Sequence, residues 1–457
     1  MYSKILQNII YPIYQIKQPW DKRLISNLKF LNKTQWWSYS ELEKFQLIRL
    51  KKLLQHANDN VPFYHRMFKK LDFIPDELTN VNELSKLPIL TKEIIRENFD
   101  ELYARNYPKK DLIPNSTGGS TGTPMTFFVN RRWKTCNEAA AYRGWSWSGY
   151  ELGDKMVHLW SAHQDLKDQN KIITKIRNHT FRIIKLNTFD LTQENMQEYS
   201  KILRKFKPKA ILSYASSAYI MSQYIEKSGI EDIRPEAIIT TADTLFDYKR
   251  KTIERAFGCQ VFDSYSGRDT SLQAIECHEH SGYHLSIENA VVEYLRDNEH
   301  VASGETGKII LTDLCNYAMP FIRYEIGDLG VPSDDKCPCG RTLPIMKSIK
   351  GRILDTIVTP EGKMLTGMFF IALFPDYHIK GIEEYQIIQK RKDKLLIKLV
   401  KGENFSDADL NLYVNIIKKN VGDQMEIEIQ FVEKIEPTKS GKHRPVISEI
   451  QGSDIKI

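Results

Sequence analysis

Residues 115–124 read NSTGGSTGTP, a loop built from Ser, Thr and Gly that ends at Pro124. Gly118, Gly119 and Gly122 let the backbone come close to a bulky anion, because a residue without a Cβ leaves the amides accessible. The hydroxyl donors alternate with these glycines and are Ser116, Thr117, Ser120, Thr121 and Thr123. This composition predicts a loop that binds a polyphosphate.

The residues that follow the loop support this interpretation and limit it. The apolar run MTFFV, residues 125–129, predicts a strand directly after the loop. No Lys follows the loop, so it differs from the nucleotide-binding loop that ends in Gly-Lys-Ser or Gly-Lys-Thr. A plain surface turn is the competing interpretation, and the regular alternation of Gly with Ser and Thr beside a strand argues against it.

Downstream of the loop, short apolar runs alternate with helical stretches from about residue 155 to 315. The segments read strand, helix, strand, helix, strand in KAILSYA, SAYIMSQYIEKSGI, EAIITTAD, YKRKTIERAFG and CQVFDSYSG. This order predicts a layered α/β domain with strands buried on both faces. Upstream, the three- and four-residue spacing of apolar side chains in residues 41–57 predicts an amphipathic helix, and Thr91 is the expected N-cap of another.

The last hundred residues have a different pattern. Residues 384–389 and 394–400 flank the polar turn KRKD, a helix is expected from Ser406 to about Asn420, and residues 425–431 alternate as a strand. This predicts a small α+β domain. We therefore expect a large N-terminal domain, residues 1–350, and a small C-terminal domain, residues 351–457.

Composition excludes several classes of protein. The chain has 457 residues, 41% of them hydrophobic and 27% charged, which excludes extended disorder and a coiled coil. A formal charge of +7 is too weak a surplus for a nucleic-acid partner. No apolar run is long enough for a membrane span, and the first residues lack a cleavage site. We expect a cytoplasmic monomer or homodimer with at most peripheral membrane contact.

The cysteines predict a metal site. Cys337 and Cys339 form the turn CPCG, and the segment ECHEHSGYH adds Cys277 and nearby histidines. The assignment for a structural Zn²⁺ is Cys277, His284, Cys337 and Cys339, with His280 as the alternative imidazole. Reduced, buried cysteines are the competing interpretation here, and Cys136, Cys259 and Cys315 are expected in the core.

Further motifs follow the loop in a fixed order. They are DSYSGRDT (263–270), NYAMPFIRYEIGDLG (316–330), KGRILD (350–355) and PTKSGKHR (437–444). Together with the loop, this series resembles the adenylate-forming superfamily of acyl-coenzyme A synthetases. Residues 49–68 and 87–93 resemble its phenylacetate-coenzyme A ligase-like branch, which includes the CapK-like proteins of capsular polysaccharide synthesis.

The resemblance implies an ATP-dependent ligase with a large multilayer α/β domain and a small mobile lid. Such an enzyme forms an acyl-adenylate and pyrophosphate, and then transfers the acyl group. The resemblance makes Lys442 the catalytic lysine and Asp269, where the superfamily usually has Glu, the Mg²⁺ ligand. Asp355 would be the hinge. The implied nucleotide-binding residues are Ser116, Thr117, Gly118, Gly119, Ser120, Thr121, Gly122, Thr123, Thr241, Ala242, Asp243, Tyr265, Ser266, Gly267, Arg268, Arg323, Asp328 and Arg352.

The resemblance implies which part of the nucleotide each of these residues would contact. Tyr265 would lie against the adenine beside residues 241–243, and Asp328 would bind the ribose. Arg323 and Arg352 would lie near the nucleotide, and loop residues 116–123 would hold the β- and γ-phosphates.

The substrate and the acceptor stay open at this point. An acid pocket is expected from Tyr142 to Trp147, from residues 158–160 and from Tyr214 to Ser217, whose aromatic rings suit an aryl or apolar acid. Coenzyme A, an amine, a sugar or a carrier could accept the acyl group. The alternative function is a non-catalytic nucleotide-binding protein that retains the fold, favoured by the change to Asp269.

Overall fold

The computed structural model describes residues 2–7, 23–117, 125–160, 172–188, 191–352, 356–361, 364–366, 370, 381–402, 405–436 and 444–450. Within these ranges, no helix combines the length and the apolar character that a membrane crossing requires. The fold in these ranges is mixed α/β, as the alternation of apolar runs and helical stretches predicts.

The α-helices lie in both parts of the chain. They are α1 Tyr2–Ile5, α2 Leu24–Thr34, α3 Tyr39–Asn60, α4 Pro62–Leu71, α5 Lys92–Glu97, α6 Phe99–Leu102, α7 Arg131–Ser146, α8 Ile172–Phe181, α9 Gln193–Phe206, α10 Ala215–Lys227, α11 Asp247–Phe257 and α12 Asp407–Val421. Ser38 and Glu41 form a capping box at the start of α3. Thr91 accepts a hydrogen bond from the backbone of Ile94 and caps α5, which confirms the predicted helix start.

The strands follow the predicted alternation. They are β1 Ile113–Ser116, β2 Thr126–Val129, β3 Met156–Trp160, β4 Ile183–Asn187, β5 Ala210–Tyr214, β6 Ala237–Thr241, β7 Gln260–Ser266, β8 Gln273–Glu276, β9 Tyr283–Leu285, β10 Ala290–Arg296, β11 Glu299–His300, β12 Gly307–Asp313, β13 Tyr324–Ser333, β14 Ile345–Arg352, β15 Thr356–Val358, β16 Met364–Thr366, β17 Ile382–Arg391, β18 Lys394–Lys401, β19 Glu426–Phe431 and β20 Val446–Ser448.

One long sheet organises the large domain. Its order is β11-β10-β12-β13-β14-β9-β8-β7-β6-β5-β3-β4. Strands β4, β3, β5, β6 and β7 are parallel, and the pairing becomes antiparallel from β7 to β8 onwards. The motif DSYSGRDT begins on β7, so the structure places it where the parallel half meets the antiparallel half.

Helices cover both faces of the parallel half. Met156, Leu212 and Ile239 pack with α2 and α7 on one face, while Val157, Ile211 and Ile238 pack with α10 and α11 on the other. Successive side chains of a strand point to opposite faces, so a strand buried on both faces needs a continuous apolar run. The sequence of β5, AILSY, is buried at every position.

The C-terminal segment forms its own small sheet. Its order is β19-β18-β17-β20, with an antiparallel β17-β18 hairpin and α12 packed on it through Tyr413 and Ile417. The predicted hairpin, helix and strand are therefore present. The boundary at residues 350 and 351 stays a prediction, and residues 353–355, with the hinge candidate Asp355, lie outside the described residues.

Candidate active site

The base of the Gly, Ser and Thr loop is a short hairpin. Strands β1 and β2 pair antiparallel, with Ser116 opposite Thr126, and Thr117 closes the loop through its backbone N–H to the Met125 carbonyl at 3.0 Å. The Thr117 hydroxyl accepts from the Met125 N–H at 2.9 Å, so this hydroxyl also links the two ends of the hairpin strands. Residues 118–124, and with them Gly118, Gly119, Ser120, Thr121, Gly122 and Thr123, lie outside the described residues.

Asn115 connects the loop to the second motif. Its side-chain amide donates a hydrogen bond to the carbonyl of Arg268 at 3.0 Å. The structure therefore brings the loop base and the segment DSYSGRDT together. The Asn115 contact was missed from the sequence, because nothing in the loop composition separates a tether from a ligand.

Tyr265 and Asp328 meet at the end of β7. The Tyr265 hydroxyl donates to Asp328 Oδ2 at 2.8 Å, which joins the residues expected at the adenine and at the ribose. The backbone of Asp328 pairs with that of Arg352 across β13 and β14. The side chain of Arg352 and the whole of Lys442 lie outside the described residues.

Asp269, the expected magnesium ligand, lies just beyond β7. Its Oδ2 accepts a hydrogen bond from the Tyr324 hydroxyl at 2.7 Å. Gly267 makes room for this arrangement, since a Cβ at that position would lie 2.7 Å from Asp269 Oδ1. Ser266 ends β7 opposite Gln273, and the Arg268 carbonyl is the acceptor for Asn115. Sequence reasoning missed Tyr324, although it stands inside the quoted segment FIRYEIGD.

Arg323 has a different environment from the one expected. Its Nε and Nη2 donate to Glu293 at 3.1 and 2.9 Å, and its Nη1 donates to the carbonyls of Ser85 and Leu87. The side chain is 5% exposed. Every guanidinium nitrogen is thus used inside the protein, and we correct its assignment from a nucleotide contact to an anchor for the segment before α5.

The segment Thr241 to Asp243 lies at the end of β6. Asp243 accepts hydrogen bonds from the N–H groups of Ala215 and Ser216 at 2.7 and 2.9 Å and so caps α10. Ala242 has φ +73°, a left-handed conformation that is rare for any residue but glycine. Such strain often occurs at binding sites. That this segment borders the adenine stays a prediction.

The predicted zinc ligands converge. The ligand atoms of Cys277, His284, Cys337 and Cys339 lie within 4.8 Å of one another. Cys277 Sγ is 3.5 Å from Cys337 Sγ, and Cys339 Sγ is 3.4 Å from His284 Nε2. The alternative, His280, instead places Nδ1 3.2 Å from Glu276. The cluster joins the β8-β9 region to the turn before β14.

A cavity of about 350 Å³ lies between α7, α8 and strands β3 and β4. Its described lining is Trp133, Lys134, Asn137, Glu138, Ala141, Tyr142, Trp145, His158, Arg177, Asn178, Ile183 and Lys185. Three members of the expected acid pocket, Tyr142, Trp145 and His158, are among them. Trp160 and Tyr214 were also expected in the acid pocket, but they are not in this lining. Their ring centroids lie 5.0 Å apart.

Comparison with known proteins places the fold. The 2-hydroxyisobutyryl-CoA ligase in its postadenylation state superposes with a TM-score of 0.71 at 19% identity, over 92% of both chains. The fold is therefore that of an adenylate-forming ligase.

Comparison of the amino-acid sequence identifies similar proteins. Protein CapK of Staphylococcus aureus is 27% identical over 98% of both chains. The phenylacetate-coenzyme A ligase of Thermus thermophilus is 22% identical over 89% of this chain and 96% of that one. The CapK C-terminal domain family matches residues 357–449. The chain is a homologue of CapK and of the phenylacetate-coenzyme A ligases.

Proposed function

We propose that this protein is an ATP-dependent acid ligase. It would join a carboxylic acid to AMP with release of pyrophosphate, and then transfer the acyl group to a thiol such as coenzyme A. The observation that carries the proposal is the bond between Tyr265 and Asp328, beside the tether from Asn115 to Arg268. These contacts bring motifs from distant parts of the sequence to one end of β7.

The chemistry of the side chains at this place suits the reaction. Attack of a carboxylate on a phosphate needs alignment and neutralisation of charge more than it needs a protein nucleophile. Asp269 offers the carboxylate oxygen that Mg²⁺ prefers, and among the described residues it forms no ion pair. Magnesium held there would neutralise charge on the phosphates, and Asp328 would orient the ribose.

The experiment that tests the proposal is ATP-pyrophosphate exchange over a panel of aryl, aliphatic and amino acids. We expect exchange with at least one acid, and Lys442→Ala lowers it by about 100-fold or more, as for other preorganised electrostatic groups. Lys439→Ala, in the same segment PTKSGKHR, is the matched control and retains the rate. A protein that binds ATP and exchanges with no acid would support the alternative, a non-catalytic nucleotide-binding protein.

The acceptor requires its own experiment. Acyl transfer is followed by mass spectrometry with coenzyme A, an amino sugar or a carrier added to the preformed acyl-adenylate. Coenzyme A is the acceptor that the ligase homologues favour, and an amino sugar or carrier would fit a role in capsular or surface polysaccharide synthesis, which the similarity to CapK supports.

We also propose that Cys277, His284, Cys337 and Cys339 bind a structural Zn²⁺. Three sulfur atoms and one imidazole nitrogen are a complete tetrahedral set, with no position left for a substrate. His284 is buried, and its Nε2 lies 3.4 Å from Cys339 Sγ, where the two atoms would share one metal ion. Metal analysis of purified protein should give one zinc per chain. Cys337→Ser should lose the metal, and Cys259→Ser, outside the cluster, should keep it.

A further inference from the structure

The proposed zinc ligands and the motif DSYSGRDT lie on neighbouring strands. Cys277 directly follows Glu276, the last residue of β8, and His284 directly follows Tyr283, the first residue of β9. Glu276 and Tyr283 lie opposite each other where β8 pairs with β9. Two of the four candidate ligands are therefore next in the chain to residues that stand side by side in the sheet.

Both of these residues bind Asp263, which belongs to the motif on β7. The Tyr283 hydroxyl donates to Asp263 Oδ2 at 2.7 Å, and the Asp263 N–H donates to Glu276 Oε2 at 2.9 Å. From the other side, the Thr240 hydroxyl on β6 donates to Asp263 Oδ1 at 2.6 Å. Asp263 is 6% exposed, so these bonds take the place of water around it. Its position depends on β6 on one side and on β8 and β9 on the other.

Glu276 is also anchored to a helix. Nη2 of Arg250, on α11, donates to both carboxylate oxygens of Glu276 at 2.9 and 2.8 Å. The Glu276 side chain is 8% exposed, so solvent screens this ion pair little. The bond from Glu276 to Asp263 is thus supported from α11, whereas the bond from Tyr283 depends on the position of β9.

Strand β9 is the shortest element in this part of the sheet. It has three residues, and it pairs with β14 through Tyr283 and His284. A segment with few backbone hydrogen bonds opens more readily than the long strands around it. A metal ion bound by His284, Cys277 and the turn of Cys337 and Cys339 would tie β9 to β8 and to the chain before β14.

Asp263 lies on β7 two residues before Tyr265. Alternate residues of a strand point to the same face of a sheet, so these two side chains share a face of β7. The Tyr265 hydroxyl donates to Asp328, the residue expected at the ribose. A displacement of Asp263 would therefore change the end of β7 at which the candidate adenine and ribose contacts meet.

We propose that zinc in the Cys/His cluster increases the affinity of the protein for ATP, with Tyr283 and Asp263 as the positioning residues that connect the two sites. The inference rests on the proposed function and on the proposed zinc site. Tyr283 holds Asp263, and Asp263 holds the end of β7. Because coupling between two ligands is reciprocal, bound ATP should increase the affinity for zinc by the same factor.

Isothermal titration calorimetry with ATP tests this inference without any acid or reaction. Zinc-loaded protein is compared with protein freed of metal by a chelator, both in excess Mg²⁺ so that zinc acts at the cluster alone. We expect ATP to bind about tenfold more weakly without zinc, a typical coupling between sites. Circular dichroism checks that the metal-free protein is folded. Competition for zinc by a chelator, with and without ATP, measures the reciprocal effect.

Tyr283→Phe removes the connecting hydroxyl and keeps all four candidate ligands. We expect this variant to retain zinc, to bind ATP as weakly as the metal-free wild type, and to lose the dependence of ATP affinity on zinc. Thr240→Val is the matched control, because it removes a hydrogen bond to the same carboxylate from β6, which contributes no ligand to the cluster. Its ATP affinity should still rise with zinc as in the wild type. A general loosening of Asp263 would instead affect both variants alike.

The outcomes separate this inference from the ligase proposal. A Tyr283→Phe variant with the ATP affinity and zinc dependence of the wild type overturns the inference, and so does a folded metal-free protein that binds ATP as tightly as the zinc-loaded one. If the metal-free protein unfolds, the ATP affinity of zinc-loaded Tyr283→Phe decides, since a loss supports the inference and an unchanged value overturns it. Zinc-dependent ATP binding without ATP-pyrophosphate exchange keeps the inference and removes the ligase function.

Discussion

The Tyr324 hydroxyl donates a hydrogen bond to Asp269 Oδ2 at 2.7 Å. Tyr324 is 1% exposed and begins β13. A residue of a strand therefore holds the carboxylate of Asp269, whose side chain is shorter than that of the Glu usual in the superfamily. One Asp269 oxygen is thus fixed by the protein, and under the proposed function the other would face the cation. We infer that Tyr324 is a positioning residue for Asp269.

Tyr324→Phe should therefore lower the apparent affinity for Mg²⁺, with a smaller effect on the stability of the fold. Loss of a hydrogen bond to a charged group corresponds to about 1.5–3 kcal/mol, or roughly 10- to 100-fold. We expect the Mg²⁺ concentration for half-maximal ATP-pyrophosphate exchange to rise, with a smaller change in the KM for the acid. A Mg²⁺ titration of the exchange rate measures this.

Tyr294→Phe is the matched control for this prediction. Among the residues that the structure describes, the buried Tyr294 hydroxyl has no hydrogen-bond partner, so its removal should not lower stability or activity. If Tyr324→Phe shifted only the urea midpoint and left the Mg²⁺ dependence unchanged, its role would be structural alone.

The buried pair of Arg323 and Glu293 gives a second prediction. Both side chains are about 5% exposed or less, and removal of one partner leaves a charge without compensation. Arg323→Met should lower the free energy of unfolding by about 3–5 kcal/mol. Urea unfolding measures the loss, and calorimetry at low urea measures ATP affinity in the folded protein.

The double variant Arg323→Met with Glu293→Leu separates the two interpretations of Arg323. If the arginine serves as an anchor, the double variant should recover much of the lost stability. A single variant with normal stability but at least tenfold weaker ATP binding would restore the assignment to the nucleotide.

The buried pair of Arg323 and Glu293, compared with other parts of the fold, shows which features the sequence predicts and which it does not. The strand and helix order around β5, α10, β6, α11 and β7 follows from local apolar periodicity, and the structure confirms it. Cys337 and Cys339 reach the Cys/His cluster proposed to bind zinc because a short turn fixes both. In these cases the physical cause lies within a few neighbouring residues.

The partner of Arg323 could not be found in this way. Glu293 lies on β10, thirty residues away, and only the pairing of β10, β12 and β13 brings the two side chains together. Asp243 is a similar case, because its role as a cap depends on where α10 begins. Contacts between distant elements depend on strand order, which no local pattern specifies.

Ala242 gives a third prediction through its backbone. A non-glycine residue at φ +73° is strained by its Cβ, so Ala242→Gly should raise the free energy of unfolding by up to about 1 kcal/mol. Ala218→Gly, one turn after the start of the nearby α10, should lower it by about 1 kcal/mol. Urea unfolding of both variants tests the contrast. A loss of stability in Ala242→Gly would contradict the strain.

Asp263 gives a prediction for pH. It is buried on β7, and this burial raises its pKa to about 7. The hydrogen bonds from Thr240 and Tyr283 act in the opposite direction and lower the pKa. The nearby charge of Glu276 raises the pKa further, and that of Arg250 lowers it. An unfolded Asp has a pKa of about 3.9. The folded protein therefore binds more protons than the unfolded chain between these values. The contribution of Asp263 to stability is greatest at low pH and falls as the pH rises towards 7.

The comparison with Asp263→Asn isolates this group from the other titrating residues. The stability of the wild type minus that of the variant, from urea unfolding, should decline from pH 5 to pH 7 and then level off. Asp232→Asn is the control. Its hydrogen bond to Arg204 lowers the pKa of Asp232, so it is ionised over this whole range and its difference should stay flat. A difference that grows with pH for Asp263 would mean that Arg250, rather than burial, dominates its environment.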